Sequence, residues 1–138
     1  MNNNQTPNNQ TNNGFADNAK NFVNNVVDET AQMDPQDIEN NKVISLFSYI
    51  GILFLIPLLA AKDSRYARFH ANQGIILFIF AIIVNIVIAI LGLIPVVGLI
   101  IGWVLSIAEL VLLIIGIVNA VTGKAKELPL IGKIKILK

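Results

Sequence analysis

The chain has no cysteine among its 138 residues, one histidine and one tryptophan, and only 14% of its side chains are charged. Without cysteine there can be no disulfides, thiolate metal sites or cysteine nucleophiles, and the redox compartment stays unread. A typical soluble domain is roughly 25% charged. The shortfall is concentrated, because residues 71–121 carry a single charged side chain, Glu109. A soluble domain of this length leaves roughly 30% of its chain surface exposed, and so much apolar sequence has no place on a wet surface. These absences exclude an ordinary soluble enzyme. They predict an all-α integral membrane protein of one domain.

What is present falls into runs. The segment 43–61 is apolar and uncharged, about 28 Å long as a helix, close to the roughly 30 Å hydrocarbon core of a bilayer. Asp34 and Pro35 mark the start of a helix that feeds into it, one capping and the other suited to the first helical position. Pro57 predicts a bend near its end. Two more apolar runs follow, 71–91 and 99–121, separated by an uncharged turn from Gly92 to Gly98. Lys62–His70 is the only charged interruption, and Gly123, Lys124 and Lys126 end the third run. Three transmembrane helices are therefore expected. Ahead of them, residues 1–14 are nearly all Asn, Gln and Thr. Such a tract has nothing to bury and reads as disordered; it also lacks the basic start and apolar run of a secretory signal. In 15–34, Phe15, Ala19, Phe22, Val23, Val26 and Val27 share one helical face, which predicts an amphipathic helix.

With three spans, the loop 62–70 and the C-terminal tail 127–138 lie on one side of the membrane. Counted from residue 122, that side holds eight Lys and Arg. The positive-inside rule makes it cytoplasmic and sends the Asn-rich tail across. Five C-terminal lysines interleaved with isoleucines suit anionic lipid headgroups better than nucleic acid.

Helices in lipid associate through small residues and interhelical hydrogen bonds. Gly98, Gly102, Ser106, Glu109, Leu113, Gly116 and Ala120 form one stripe; Gly74, Ala81, Asn85, Ala89 and Gly92 form another. Gly98, Gly102, Ala81 and Ala89 are the expected packing positions. In antiparallel neighbours Asn85 and Glu109 fall at similar depth, with Ser106 one turn away. An ionised carboxylate at mid-bilayer costs at least about 2.5 kcal/mol, so Glu109 is expected to stay protonated and hydrogen-bonded. A clasp between helices, a proton, ion or substrate pathway, and a contact between copies of the chain all remain open for this pair. A second polar group sits at the basic face, where Arg68, His70, Gln73, Asn119 and Lys124 can gather into one hydrogen-bonded cluster. No metal-ligand spacing, nucleophile–base arrangement or phosphate-binding glycine loop is present, so no cofactor and no enzymatic activity are expected.

Arg68-Phe-His70-Ala-Asn72-Gln73-Gly74, with Asn119-Ala-x-x-Gly123-Lys124 and Glu127-Leu-Pro129 downstream, resembles the small bacterial membrane proteins grouped with the chloroplast inner-envelope import component, the twenty-kilodalton Tic subunit. The similarity covers roughly residues 40–135. It implies a helical protein of a bacterial cell membrane and an accessory or transport-type role. The plastid proteins have four spans, whereas this chain offers three. The competing expectation is a structural or interaction membrane protein that acts through its tail and lipid contacts without transport. Under either reading the expected partners are the bilayer, a membrane protein or a second copy of the chain.

Overall fold

The computed structural model describes residues 26–137 together with Gly14, Asp17, Asn18 and Asn21. The tail expected over 1–14, and most of the amphipathic helix expected after it, lie outside the described residues. From Val26 the chain runs antiparallel to its own C-terminal segment. Glu29 N–H donates to the Ala125 carbonyl at 2.8 Å and Glu127 N–H to the Val27 carbonyl at 3.0 Å, either side of an isolated bridge between Asp28 and Lys126. A 3-10 turn, Thr30–Gln32, leads to helix α1, Pro35–Leu46. It begins as the sequence predicts, with the Asp34 carboxylate accepting from Gln36 N–H at 3.0 Å and Pro35 in the first turn.

The apolar run 43–61 does not form one spanning helix. After α1 come two 3-10 turns, Phe47–Tyr49 and Gly51–Phe54, and a short helix α2, Leu55–Ala60. The chain reverses between the two turns, where Gly51 takes φ +51°, a left-handed conformation that other residues adopt only at a cost of roughly 1–2 kcal/mol. The break lies there and not at Pro57. Pro57 sits in the first turn of α2, where its missing N–H is not needed. Both ends of this helical hairpin return to one face. Asp37, in the first turn of α1, accepts from the backbone N–H of Tyr66 at 3.0 Å, and α2 ends close before Ser64, which caps the next helix by accepting from Ala67 N–H.

That helix, α3 (Arg65–Leu91), and its partner α4 (Pro95–Val121) have 27 residues each, about 40 Å at 1.5 Å per residue. They are the two helices long and apolar enough to cross a bilayer, and only 22% and 17% of their most apolar windows are buried. The core helix of a soluble protein would be mostly covered, so these faces are built for lipid. In the turn Gly92–Ile94 each N–H is paired, Gly92 with the Ile88 carbonyl, Leu93 with that of Ile90 and Ile94 with that of Leu91. In place of a first spanning helix the structure has a helical hairpin whose two ends lie at the same end of the bundle, beside the two helices long and apolar enough to span.

Packing concentrates at that end. Tyr49, Leu77, Leu112, Ala120 and Leu128 form one buried cluster, and Met33, Tyr66, Phe69 and Ala125 another. The hairpin tip reaches the level of Phe78, whose ring lies 5.7 Å from that of Phe54, about 20 Å along α3 from Arg65. Close approach depends on two glycines: a Cβ on Gly74 would overlap the Ser48 carbonyl, and one on Gly116 the Tyr49 ring. Between the spans, α3 presents Leu77, Val84, Ile88 and Leu91. Ile88 touches Gly102, and the Leu91 carbonyl closes on Gly98. Gly98 and Gly102 are buried at this contact and Ala81 is half-buried, whereas Ala89 is exposed. The face of α3 is turned slightly from the small-residue stripe, because the larger aliphatic side chains follow the seven-residue spacing that keeps two helices in register.

Gly74→Ala should force the hairpin off α3. We expect a loss of about 1–3 kcal/mol, read as a lower unfolding midpoint in detergent; an unchanged midpoint would contradict the close contact.

Candidate functional site

The first turns of α3 are polar yet buried. His70 and Gln73 are fully covered and Asn72 nearly so. The residue types explain the arrangement. After α4 the chain runs from Thr122 to Leu137 with almost no regular structure of its own, so its backbone groups need partners from elsewhere. Asn and Gln carry a donor and an acceptor on one planar group and can complete a backbone much as a neighbouring strand would. Gln73 does this at one elbow: Nε2 donates to the Gly132 carbonyl and Oε1 accepts from Leu128 N–H, both at 2.9 Å. Asn72 does it at the next, donating to the Ile134 carbonyl at 3.0 Å and accepting from Ile136 and Leu137 N–H at 2.6 and 2.9 Å.

His70 joins three elements. Its Nε2 lies 3.0 Å from the Lys124 carbonyl and its Nδ1 2.7 Å from the Tyr49 hydroxyl. A carbonyl only accepts, so Nε2 carries the proton and the Tyr49 O–H donates to Nδ1. The rings of Tyr49, Tyr66 and Phe69 surround the imidazole at centroid distances of 5.7, 4.6 and 5.3 Å. The Tyr66 hydroxyl donates to the Ala120 carbonyl at 2.7 Å, one of the acceptors without a helical partner where α4 ends, and reaches that of Asn119 at 3.2 Å, which also accepts from Lys124 N–H at 2.9 Å. Gly123 then turns the chain with φ +77°.

Charged groups ring this face. Lys135 Nζ lies 3.1 Å from both Glu29 and Glu127. Burial favours its neutral form, but the two carboxylates outweigh that and hold its pKa above the ordinary value. At Asp37 burial pushes the carboxyl up. Hydrogen bonds from the Ser64 hydroxyl, Tyr66 N–H, the Asn41 amide and Arg65 N–H prevail and leave it below its ordinary value.

Of the cluster expected here, His70 and Gln73 contribute side chains, joined by Asn72, whereas Lys124 and Asn119 contribute backbone carbonyls. The Lys124 side chain is exposed. Arg68 lines a surface cavity together with Phe69 and Asn72. Tyr49, Tyr66 and Asp37 were not anticipated. The available signal was two tyrosines beside a predicted membrane face, where a buried hydroxyl must find a partner.

Deeper in the bundle, Asn85 Nδ2 donates to the Ala81 carbonyl at 2.7 Å and approaches Glu109 Oε2 at 3.5 Å, the outer limit for a hydrogen bond. The two residues share a level, as the spacing predicts. Ser106 and Glu109 line a cavity of about 390 Å³ that Tyr49 and Gly51 of the hairpin close from below. Among the described residues, no three His, Cys, Asp or Glu side chains gather where a metal ion could be held.

The architecture defines a small helical membrane protein whose folded wet face is held by side chains of the first span. Residues 41–137 match the magnetosome magnetite crystal formation protein family, and the chain belongs to it. It is 32% identical over 85 residues to the magnetosome protein MamF of Paramagnetospirillum magneticum, covering 62% of this chain and 73% of that one. The magnetosome protein MmsF of the same organism is 34% identical over 91 residues, 65% and 80% of the two chains. A membrane protein of Methanocaldococcus jannaschii is 32% identical over 89 residues, 64% and 59%. No solved structure matches. These matches overturn the resemblance to the chloroplast import component: the motif from Arg68 to Gly74 and its downstream partners lie within the matched region of the magnetosome family.

Gln73→Leu would leave Leu128 N–H and the Gly132 carbonyl buried and unpaired, each worth about 1–3 kcal/mol. The expected result is a lower unfolding midpoint with faster proteolysis of the C-terminal tail. A tail equally resistant in both proteins would show that Gln73 does not hold it.

Proposed function

We propose that the chain is a non-enzymatic structural or interaction protein of a bacterial membrane. Its spans anchor a compact face, built from residues 26–37 and 124–137, that meets a membrane partner or a second copy. The observation that carries this reading is the use made of the polar residues: His70, Asn72 and Gln73 spend their hydrogen-bonding groups on the chain's own backbone and so shape a surface. Two spans and a hairpin also have too few walls to enclose an aqueous path. Relatives named as magnetosome proteins and as a membrane protein support the membrane setting.

In this reading the basic face is cytoplasmic, following the positive-inside rule, and the C-terminal lysines add attraction to anionic lipid. Asn85 and Glu109 act as a polar link between the spans.

Purified protein in planar bilayers should carry no current, while crosslinking in native membranes should join the 124–137 face to a protein neighbour. Discrete conductance steps that disappear in Glu109→Gln would overturn the proposal in favour of a pathway.

A further inference from the structure

A surface cavity of about 500 Å³ opens beside the first turns of α3, between the N-terminal and C-terminal segments. Four cations line it: Lys62, Arg65, Arg68 and Lys135. Glu29 and Asp63 also face it, so the balance is two positive charges. Glu29 is engaged by Lys135 at 3.1 Å, and Arg65 reaches the carbonyl and side chain of Gln32 at 3.3 Å. The cavity adjoins the N-terminus of α3. Its other walls are apolar: Phe69, with Lys135 Nζ 5.4 Å from the ring centre, Met33 and Leu137.

Position supplies the ligand class. Arg65 and Arg68 lie at the wet end of a membrane span, at the depth where lipid phosphates lie. A free anion would use only the charged rim. A glycerophospholipid would use both parts, its phosphate on the bases and its glycerol and first acyl carbons on Phe69 and Met33. We infer that this cavity binds the phosphate of a glycerophospholipid headgroup. The site differs from the diffuse attraction of C-terminal lysines, since Lys126 and Lys133 are not among its lining residues. It requires only that the protein sit in a membrane, and it stands or falls independently of the conductance result.

The test uses the full chain in dodecyl maltoside, a detergent without phosphate, with dioctanoyl phosphatidylglycerol or inorganic phosphate added separately. Binding is read from the unfolding midpoint and from native mass spectrometry. Phosphatidylglycerol should raise the midpoint saturably. Lys62→Gln with Arg68→Gln should weaken binding about 30-fold, from about 1 kcal/mol per base, while Lys126→Gln with Lys133→Gln leaves it within about threefold. Arg68→Lys, which keeps the charge, should retain binding and serves as the check that the fold survives. No saturable effect of the lipid would overturn the inference. So would equal losses in the two double variants, or inorganic phosphate binding as tightly as the lipid.

Discussion

The structure depends on finding partners for a backbone that is not helical. Within hydrocarbon only a helix satisfies its own N–H and C=O groups, and α3 and α4 do so from the level of Phe78 to the turn at Gly92–Ile94. Every other segment gathers at one end of the molecule. There the C-terminal tail has lost helical pairing and gains it back from Asn72, Gln73 and His70, while the end of α4 is closed by Tyr66. These side chains sit on the first turns of a 27-residue helix, longer than the membrane requires. The extra length lets the same rod cross the bilayer and support the wet face.

The hairpin 35–60 follows from the same constraint. Its first 3-10 turn is buried against the two spans, with Ser48 against Gly74 and Tyr49 against Gly116 and His70. Because the hairpin returns to the face it left, residues 26–34 lie beside 124–128 and pair with them. Residues 26–34 thus lie at the same end of the bundle as the C-terminal segment, where a third span would have put them at the other. The structure corrects that expectation for residues 26–34.

Much of this was legible in the sequence. The near absence of charge from 71 to 121 identifies the two spans, the Asp34-Pro35 pair marks the start of α1, and the opposed spacing of Asn85 and Glu109 gives their common depth. The loop 62–70 and the C-terminal segment lie at the same end of the bundle, joined by His70 and the Lys124 carbonyl. The hairpin was not legible. A 19-residue apolar run has the right length for one crossing or for two short helices, and only Gly51 marks the difference. The partners of Asn72 and Gln73 were hidden for another reason: they are backbone groups, and any sequence supplies those. Family membership was misread from a short motif, since Arg68-Phe-His70-Ala-Asn72-Gln73-Gly74 reports how a tail is held and says little of what the protein does.

The two-span arrangement is tested most directly by accessibility. This cysteine-free chain accepts single cysteines at Ala31, Asp63, Leu93 and Lys133, which can be probed with a membrane-impermeant maleimide in sealed vesicles of known orientation. Positions 31, 63 and 133 should label from one side and position 93 from the other. Labelling of position 31 from the same side as 93 would mean that residues 43–61 cross the bilayer, and the re-entrant hairpin would be wrong.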